Sequence, residues 1–236
     1  MGFIAESFRT ALALILSLDR EVFAAVWISI SVASWSIIFA ALLGIPLGIA
    51  IGIREFSLKR ATITLLNTLM AMPTVVIGLV VYGLISRQGP LGSFGLLFTP
   101  GAMIIGQTML AVPIVTNHTL TAIKAADNRI LPTALTLGAS RLQSVVQLAR
   151  ETRFGIMAAV VAGFGRVVSE VGIAMMLGGN IRVYTRTMTT AIALETSKGE
   201  FAFGLALGII LIVVAFVINL VLNIMQQGSQ SWPSST

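Results

Sequence analysis

Five long apolar runs separated by short polar stretches dominate the chain. Residues 22–53 carry no charge, and at that length they can cross a bilayer with tilt or with a bent end. Gly44, Pro46, Gly48 and Gly52 fall late in this run and favour a bend or close packing. Ser29, Ser31, Ser34 and Ser36 read as hydroxyls that pack helix against helix. The second run, 61–86, is interrupted by Met72-Pro73-Thr74, where Pro73 removes a backbone hydrogen bond and kinks the helix. The third covers 102–123 and contains Gln107, Pro113, Asn117 and His118; the fourth covers 154–177; the fifth covers 201–225. Residues 1–21 are too short to span and only weakly amphipathic, with Phe8, Leu12, Ile15 and Leu16 near one face. They read as an interfacial helix.

Between the runs, 54–60 is a short basic loop, 87–101 a Gly/Pro-rich loop, and 178–200 a polar loop. The last of these carries Arg182, Arg186, Thr185, Thr187, Thr189, Thr190 and Thr196. The domain boundaries expected are therefore an N-terminal segment 1–21, a membrane domain 22–225 with a large polar loop at 124–153, and a flexible tail 226–236. Five spans place Arg54, Lys59, Arg60, Lys124, Arg129, Arg141, Arg150 and Arg153 on one side, eight in all. The other side holds six: Arg9, Arg20, Arg87, Arg182, Arg186 and Lys198. The richer side is expected to be cytoplasmic, with the C-terminus inside and the N-terminus outside.

The longest polar interruption, 124–153, predicts one short helix over 133–147, entered at Pro132, with Leu135, Leu142 and Val146 near one face. Gly138, Ala139 and Ser140 fall in the middle of it. A mid-helix Gly costs about 1 kcal/mol relative to Ala. Close approach by a partner surface would offset that; a tolerated glycine in an ordinary loop is the alternative.

In the fourth run Arg166 and Glu170 stand four apart, on one helix face. Each charge in a span costs about 2.5–3.5 kcal/mol on insertion scales, and pairing lowers that cost. The pair either fixes helix packing or lines a polar path.

Composition sharpens the class. The 236 residues are 56% hydrophobic and only 10% charged, against roughly 25% charged for soluble domains. This is an all-α integral membrane protein. There is no cysteine and a single histidine, His118, so thiolate chemistry and a histidine metal cluster are excluded. The net charge of +6 is dispersed between spans, which suits anionic lipid and orientation and gives no nucleic-acid footprint. No Gly-x4-Gly-Lys-Ser/Thr motif occurs, so the chain has no phosphate-binding loop of that kind.

Residues 132–141 resemble the EAA loop of bacterial ABC-transporter permeases, with Pro132-Thr133-Ala134 in the Glu-Ala-Ala place and Gly138-Ala139 in the Gly-Ala place. The stretch 165–181, GRVVSEVGIAMMLGGNI, resembles oxyanion permeases for molybdate, sulfate and tungstate. The segments 71–92, 97–114 and 133–156, with Arg150-Glu151 where other permeases have Leu-Pro, are similar to the tungstate branch. The resemblance implies a type I ABC importer transmembrane subunit, with about five transmembrane helices and a cytoplasmic coupling helix. It implies an ATPase-coupling set of Thr133, Ala134, Gly138, Ala139, Ser140 and Arg141. It further implies a permease homodimer in a bacterial or archaeal cell membrane, a cytoplasmic ATPase dimer that binds ATP and Mg, and an extracytoplasmic oxyanion-binding protein. No cofactor and no catalysis are then expected in this chain. An importer of a dianion needs donors that bind weakly and repeatedly; Thr74, Thr116, Asn117, Arg166, Ser169 and Glu170 are the candidates for the path. Alternatives are a molybdate, sulfate or vanadate permease of the same class, or an ATP-independent anion channel. An intramembrane hydrolase is disfavoured, because the one in-span carboxylate, Glu170, stands four residues from an arginine with which it pairs.

Overall fold

The computed structural model describes the backbone of residues 2–230 and the side chains of these except 221, 222 and 225–230. Every regular element among the described residues is helical. The α-helices in order are α1 (Gly2–Leu16), α2 (Arg20–Ile53), α3 (Lys59–Met70), α4 (Thr74–Ile85), α5 (Pro100–Lys124), α6 (Ile130–Thr136), α7 (Arg141–Glu151), α8 (Arg153–Val168), α9 (Gly172–Gly178), α10 (Met188–Lys198) and α11 (Phe201–Gln230), and one 3-10 turn, Gly92–Phe94, lies between α4 and α5. The helix α11 runs into the first residues of the segment expected as a tail; 231–236 lie outside the described residues.

α5 is the hub. It lies along α2 and α8 and also meets α3, α4 and α9. The α2–α5 seam is built on small residues one turn apart. A Cβ added at Gly48 would fall 2.6 Å from the Thr116 carbonyl oxygen, and one at Gly44 would fall 3.1 Å from Val115. The late glycines of the first run therefore serve close packing, and α2 continues unbroken through Pro46. Asp19 starts α2 by accepting from the N–H groups of Glu21 (3.0 Å) and Val22 (3.1 Å). Two apolar clusters result. One joins α2, α5, α8, α10 and α11 around Ala40, Val115 and Val167; the other joins α2, α4, α5 and α9 around Val32, Val81 and Ile173. α1 lies on α11, burying Ser7 and Ala11, and the Phe3 and Phe201 rings are 5.7 Å apart.

Among the described residues, α2 and the 201–220 part of α11 are long and apolar enough to cross a membrane, and two bent pairs add one crossing each if their halves form one span. α5, expected as a further span, is long enough at 25 residues. Its buried Gln107, Thr116 and Thr119 and its half-buried Asn117 make it less apolar, because its neighbours are helices.

Three expectations change. The kink at Pro73 is a 94° elbow between α3 and α4. The fourth run is two helices, α8 and α9, bent by 61° across Ser169–Val171. The segment 178–200 is not simply an exposed polar loop: it contains α10, whose first turn is buried. Thr187 and Thr190 close a reciprocal capping box there, and Thr185, Thr187, Thr189 and Thr190 are all buried. Their hydroxyls are hydrogen-bonded inside the fold, so their polar character did not betray their burial.

Candidate functional site

The two elbows meet. Thr74 opens α4 immediately after Pro73, and Gly172 opens α9 immediately after the second break. A Cβ on Gly172 would lie 3.2 Å from Thr74 Oγ1 and 3.3 Å from Glu170 Oε1. A side chain there would make its neighbours give by a few tenths of an ångström, so glycine suits this close approach of the elbows.

Glu170 is the pin of this junction. It is 3% exposed. Its Oε2 accepts from Arg166 Nη1 at 2.8 Å, and its Oε1 accepts from the Ile173 N–H at 3.2 Å, inside the first turn of α9. Its backbone carbonyl accepts from Thr189 Oγ1 at 2.7 Å. Thr189 also meets Thr187 Oγ1 at 3.1 Å, and the Met188 N–H donates to Ser29 Oγ of α2 at 2.7 Å. One hydrogen-bonded hub therefore ties the α8–α9 elbow to α10 and α2. The expected i,i+4 pairing of Arg166 and Glu170 holds, although α8 ends between them at Val168.

The remaining path candidates separate. Arg166 and Ser169 are exposed on one side of this elbow, with the Ser169 hydroxyl bonded back to the carbonyls of Gly165 (2.9 Å) and Arg166 (3.1 Å). Asn117 is half-buried, and its Nδ2 donates to Asn67 Oδ1 of α3 at 3.1 Å. Thr116 is wholly buried in the α2–α5 seam, its hydroxyl donating to the Val112 carbonyl at 2.7 Å. It has no surface to offer an ion, and this argues against it as a path residue. His118 Nδ1 sits 2.9 Å from the Ile114 carbonyl. Ser29 joins α2 to α10 as the helix-packing hydroxyl expected of it, whereas sequence reasoning missed Asn67 and the threonine hub. For the hub a signal existed: Thr187 with Thr190 three residues on, ahead of an apolar stretch.

At the far end of the bundle, 124–153 is two helices and not the single helix expected. Gly138 does not sit mid-helix; its φ is +89°, the left-handed conformation that ends α6. The Gly138 N–H donates to the Leu135 carbonyl (3.1 Å) and the Ala139 N–H to the Ala134 carbonyl (3.0 Å), the paired bonds of a Schellman stop. Ser140 then starts α7: its hydroxyl accepts from the Gln143 N–H, and Gln143 Oε1 accepts from the Ser140 N–H at 2.7 Å. No atom lies within 4 Å of a Cβ placed on Gly138. The glycine is thus explained by backbone conformation and not by contact within the chain. Thr133, Ser140 and Arg141 are exposed, and Ala134 and Ala139 half-buried. Leu137 (82% exposed) and Leu142 (75%) flank the turn and border an open groove of about 540 Å³ with Val146 and Arg150. α7 passes into α8 through Thr152 alone, whose hydroxyl donates to the Leu148 carbonyl at 2.8 Å.

Beside this element a buried cation, Lys59, closes the end of α2 and the start of α3. Lys59 Nζ donates to Glu55 Oε1 at 2.7 Å and to the Gly52 carbonyl at 3.3 Å. A cation there suits the negative end of α2. The hydrogen bond and charge of Lys59 hold the Glu55 carboxyl below the ordinary glutamate range.

The chain is 42% identical over 208 residues to TupB of Peptoclostridium acidaminophilum, a tungstate uptake system permease protein, covering 88% of this chain and 91% of that one. It is 26% identical over 196 residues to ModB of Azotobacter vinelandii, a molybdenum transport system permease protein, covering 78% and 85%. Its fold matches an inward-facing MetNI methionine ABC transporter chain with a TM-score of 0.73 at 17% identity, over 92% of this chain and 97% of that one. A bacterial alginate ABC transporter chain, solved in complex with an alginate pentasaccharide-bound periplasmic protein, matches with a TM-score of 0.74 at 19% identity, over 92% and 83%. The type I importer fold expected from the sequence is the fold found. Residues 44–231 match the family model for the inner membrane component of binding-protein-dependent transport systems, and the chain belongs to that family.

Proposed function

We propose that this chain is the transmembrane permease subunit of an ATP-driven importer of a tetrahedral oxyanion, tungstate first. The observation that carries the reading is the stop–start element α6–α7. It presents Leu137 and Leu142 to the outside at one end of the bundle and leads directly into α8. Both leucines lie in the polar segment between the apolar runs and border one open groove, so lipid does not account for their exposure. They suit the apolar contact of a cytoplasmic ATPase subunit, which would hold ATP and Mg. Identity to a tungstate permease over most of both chains supports the anion.

Thr133, Ala134, Gly138, Ala139, Ser140 and Arg141 shape the docking element. Because α7 and α8 are joined through Thr152, a displacement of that element travels along α8, about 24 Å at 1.5 Å per residue, to Arg166 and Glu170. Thr74, Asn117, Arg166 and Ser169 would offer donors to the passing anion, with Glu170 and Gly172 setting how closely the two elbows meet. An exposed Arg166 within a span belongs on a face turned to water or to protein; a path left open between two copies of this chain supplies such a face. The binding protein would dock at the opposite end, beside Arg182 and Arg186. On the lysine and arginine count the docking element and the C-terminus face the cytoplasm.

The test is co-purification with uptake. The tagged chain should bring down a stoichiometric ATPase and support ATP-dependent tungstate accumulation. Leu137→Asp with Leu142→Glu should lose both while still inserting. Retention of the ATPase and of uptake by that double variant would remove the docking assignment. Oxyanion flux in vesicles without ATP would replace the importer with a channel.

A further inference from the structure

Arg166 and Glu170 form an asymmetric pair. Glu170 is buried and held from three directions: by Arg166, by the Ile173 N–H and, through its own carbonyl, by Thr189. Arg166 is held from one. Its side chain is 41% exposed, and among the described residues Glu170 is its one polar partner. A guanidinium has five N–H donors, so most of those of Arg166 are uncommitted. Gly165, beside it on the exposed side, has nothing within 4 Å of a Cβ position. The arginine therefore has room to turn toward an arriving anion, and the carboxylate cannot follow.

Resting on the importer reading above, we propose that Arg166 is a transient ligand of the oxyanion and that Glu170 is a positioning residue acting as its built-in competitor. When Arg166 turns to the anion, Glu170 is left buried with its charge uncompensated, a costly state. The same carboxylate repels the bound dianion at short range in a medium that screens poorly. Both effects return Arg166 to Glu170 and release the anion. A lone arginine would bind more tightly and let go more slowly; the fixed carboxylate turns a trap into a step.

The competitor role predicts an affinity and a rate that move in opposite senses. Equilibrium dialysis of tungstate against the purified permease–ATPase complex, read by elemental mass spectrometry, measures the first; uptake into cells measures the second. Glu170→Gln keeps the size of the side chain and removes the charge. It should bind tungstate about tenfold tighter and transport it about tenfold more slowly. Arg166→Gln should bind less than the wild type and transport little. Glu170→Asp keeps the charge but draws it back from Ile173; it should fall between the wild type and Glu170→Gln in both measurements, and it provides the comparison if Glu170→Gln assembles poorly. A purely structural Glu170 would give variants that assemble less, with affinity per complex unchanged or weaker; that result overturns the proposal. Absence of ATP-dependent uptake by the wild type would instead overturn the importer reading, so the two failures are distinguishable.

Discussion

The α2–α5 seam and the pair of elbows are both glycine contacts between helices, yet they are built for opposite ends. In the seam, two long unbroken helices meet over Gly44, Gly48 and Gly52, and a Cβ at Gly48 or Gly52 would come within 2.6 Å of α5. There is no slack, and packed interiors resist small changes in volume. At the elbows, both partners are interrupted helices, and a Cβ on Gly172 would meet its neighbours at 3.2–3.3 Å. That contact is tight, but its nearest atoms are the side-chain oxygens of Thr74 and Glu170, which can shift by tenths of an ångström. The seam is a frame, and the elbows are where the frame permits movement. Broken helices within a membrane protein are tolerated only where surrounding protein satisfies the freed backbone; at the α8–α9 elbow Glu170 and Thr189 do so.

The sharpest way to break the comparison is Gly48→Val, which drives a branched side chain into the Thr116 carbonyl and Thr119. It should cost about 3 kcal/mol of stability as an overpacked contact, read as a lowered melting temperature of the detergent-purified protein. Next comes Gly138. Gly138→Val places a β-branched residue at φ +89°, and should cost about 1–2 kcal/mol of local strain at the α6–α7 turn. Gly138→Asn should be tolerated better, because Asn adopts that conformation more readily. The ratio of ATPase captured by the two variants checks this. Gly172→Ala should change the melting temperature little, with a cost of about 1 kcal/mol or less, and slow uptake at the elbow. Equal losses of stability from Gly172→Ala and Gly48→Val would erase the distinction. The smallest effect belongs to Glu55, which is exposed. Its folded carboxyl is held low by Lys59. Its contribution is therefore present above the ordinary glutamate range and lost as the pH falls through the lowered folded value. Glu55→Gln should remove a slight acid-side difference in melting temperature and leave neutral pH almost unchanged.

Much of the fold was legible because lipid-spanning helices write themselves in uninterrupted apolar residues. The runs at 22–53 and 201–225 became α2 and α11 with nearly those limits. The 94° elbow announced itself through Pro73, whereas the break at Ser169–Val171 has no proline to mark it. It arises where Glu170 turns its carboxylate to the Ile173 N–H, a tertiary arrangement that periodicity does not record. The 124–153 segment was found as a unit but misread inside. Gly138 reads in sequence as a gap for a partner, yet the Ser140–Gln143 capping box that begins two residues on already marks a new helix start. Thr116 was nominated for its hydroxyl alone, and a hydroxyl that serves the carbonyl four residues back looks the same in sequence as one that meets an ion.

The buried polar face of α5 has a consequence for how the protein is made. A segment carrying Gln107, Thr108, Thr116, Asn117 and Thr119 partitions into bilayer less readily than α2 or α11 do. Three of these meet residues already synthesised: Gln107 Oε1 lies 3.3 Å from Ser36 Oγ, the Thr108 hydroxyl donates to the Ser36 carbonyl at 3.4 Å, and Asn117 bonds Asn67. Release of α5 from the insertion machinery is therefore expected to follow recruitment by α2 and α3, so that the hub of the finished bundle is a latecomer to the bilayer. Glycosylation mapping of α5 fused alone and after α2–α3 would read this as poor insertion in the first case and efficient insertion in the second.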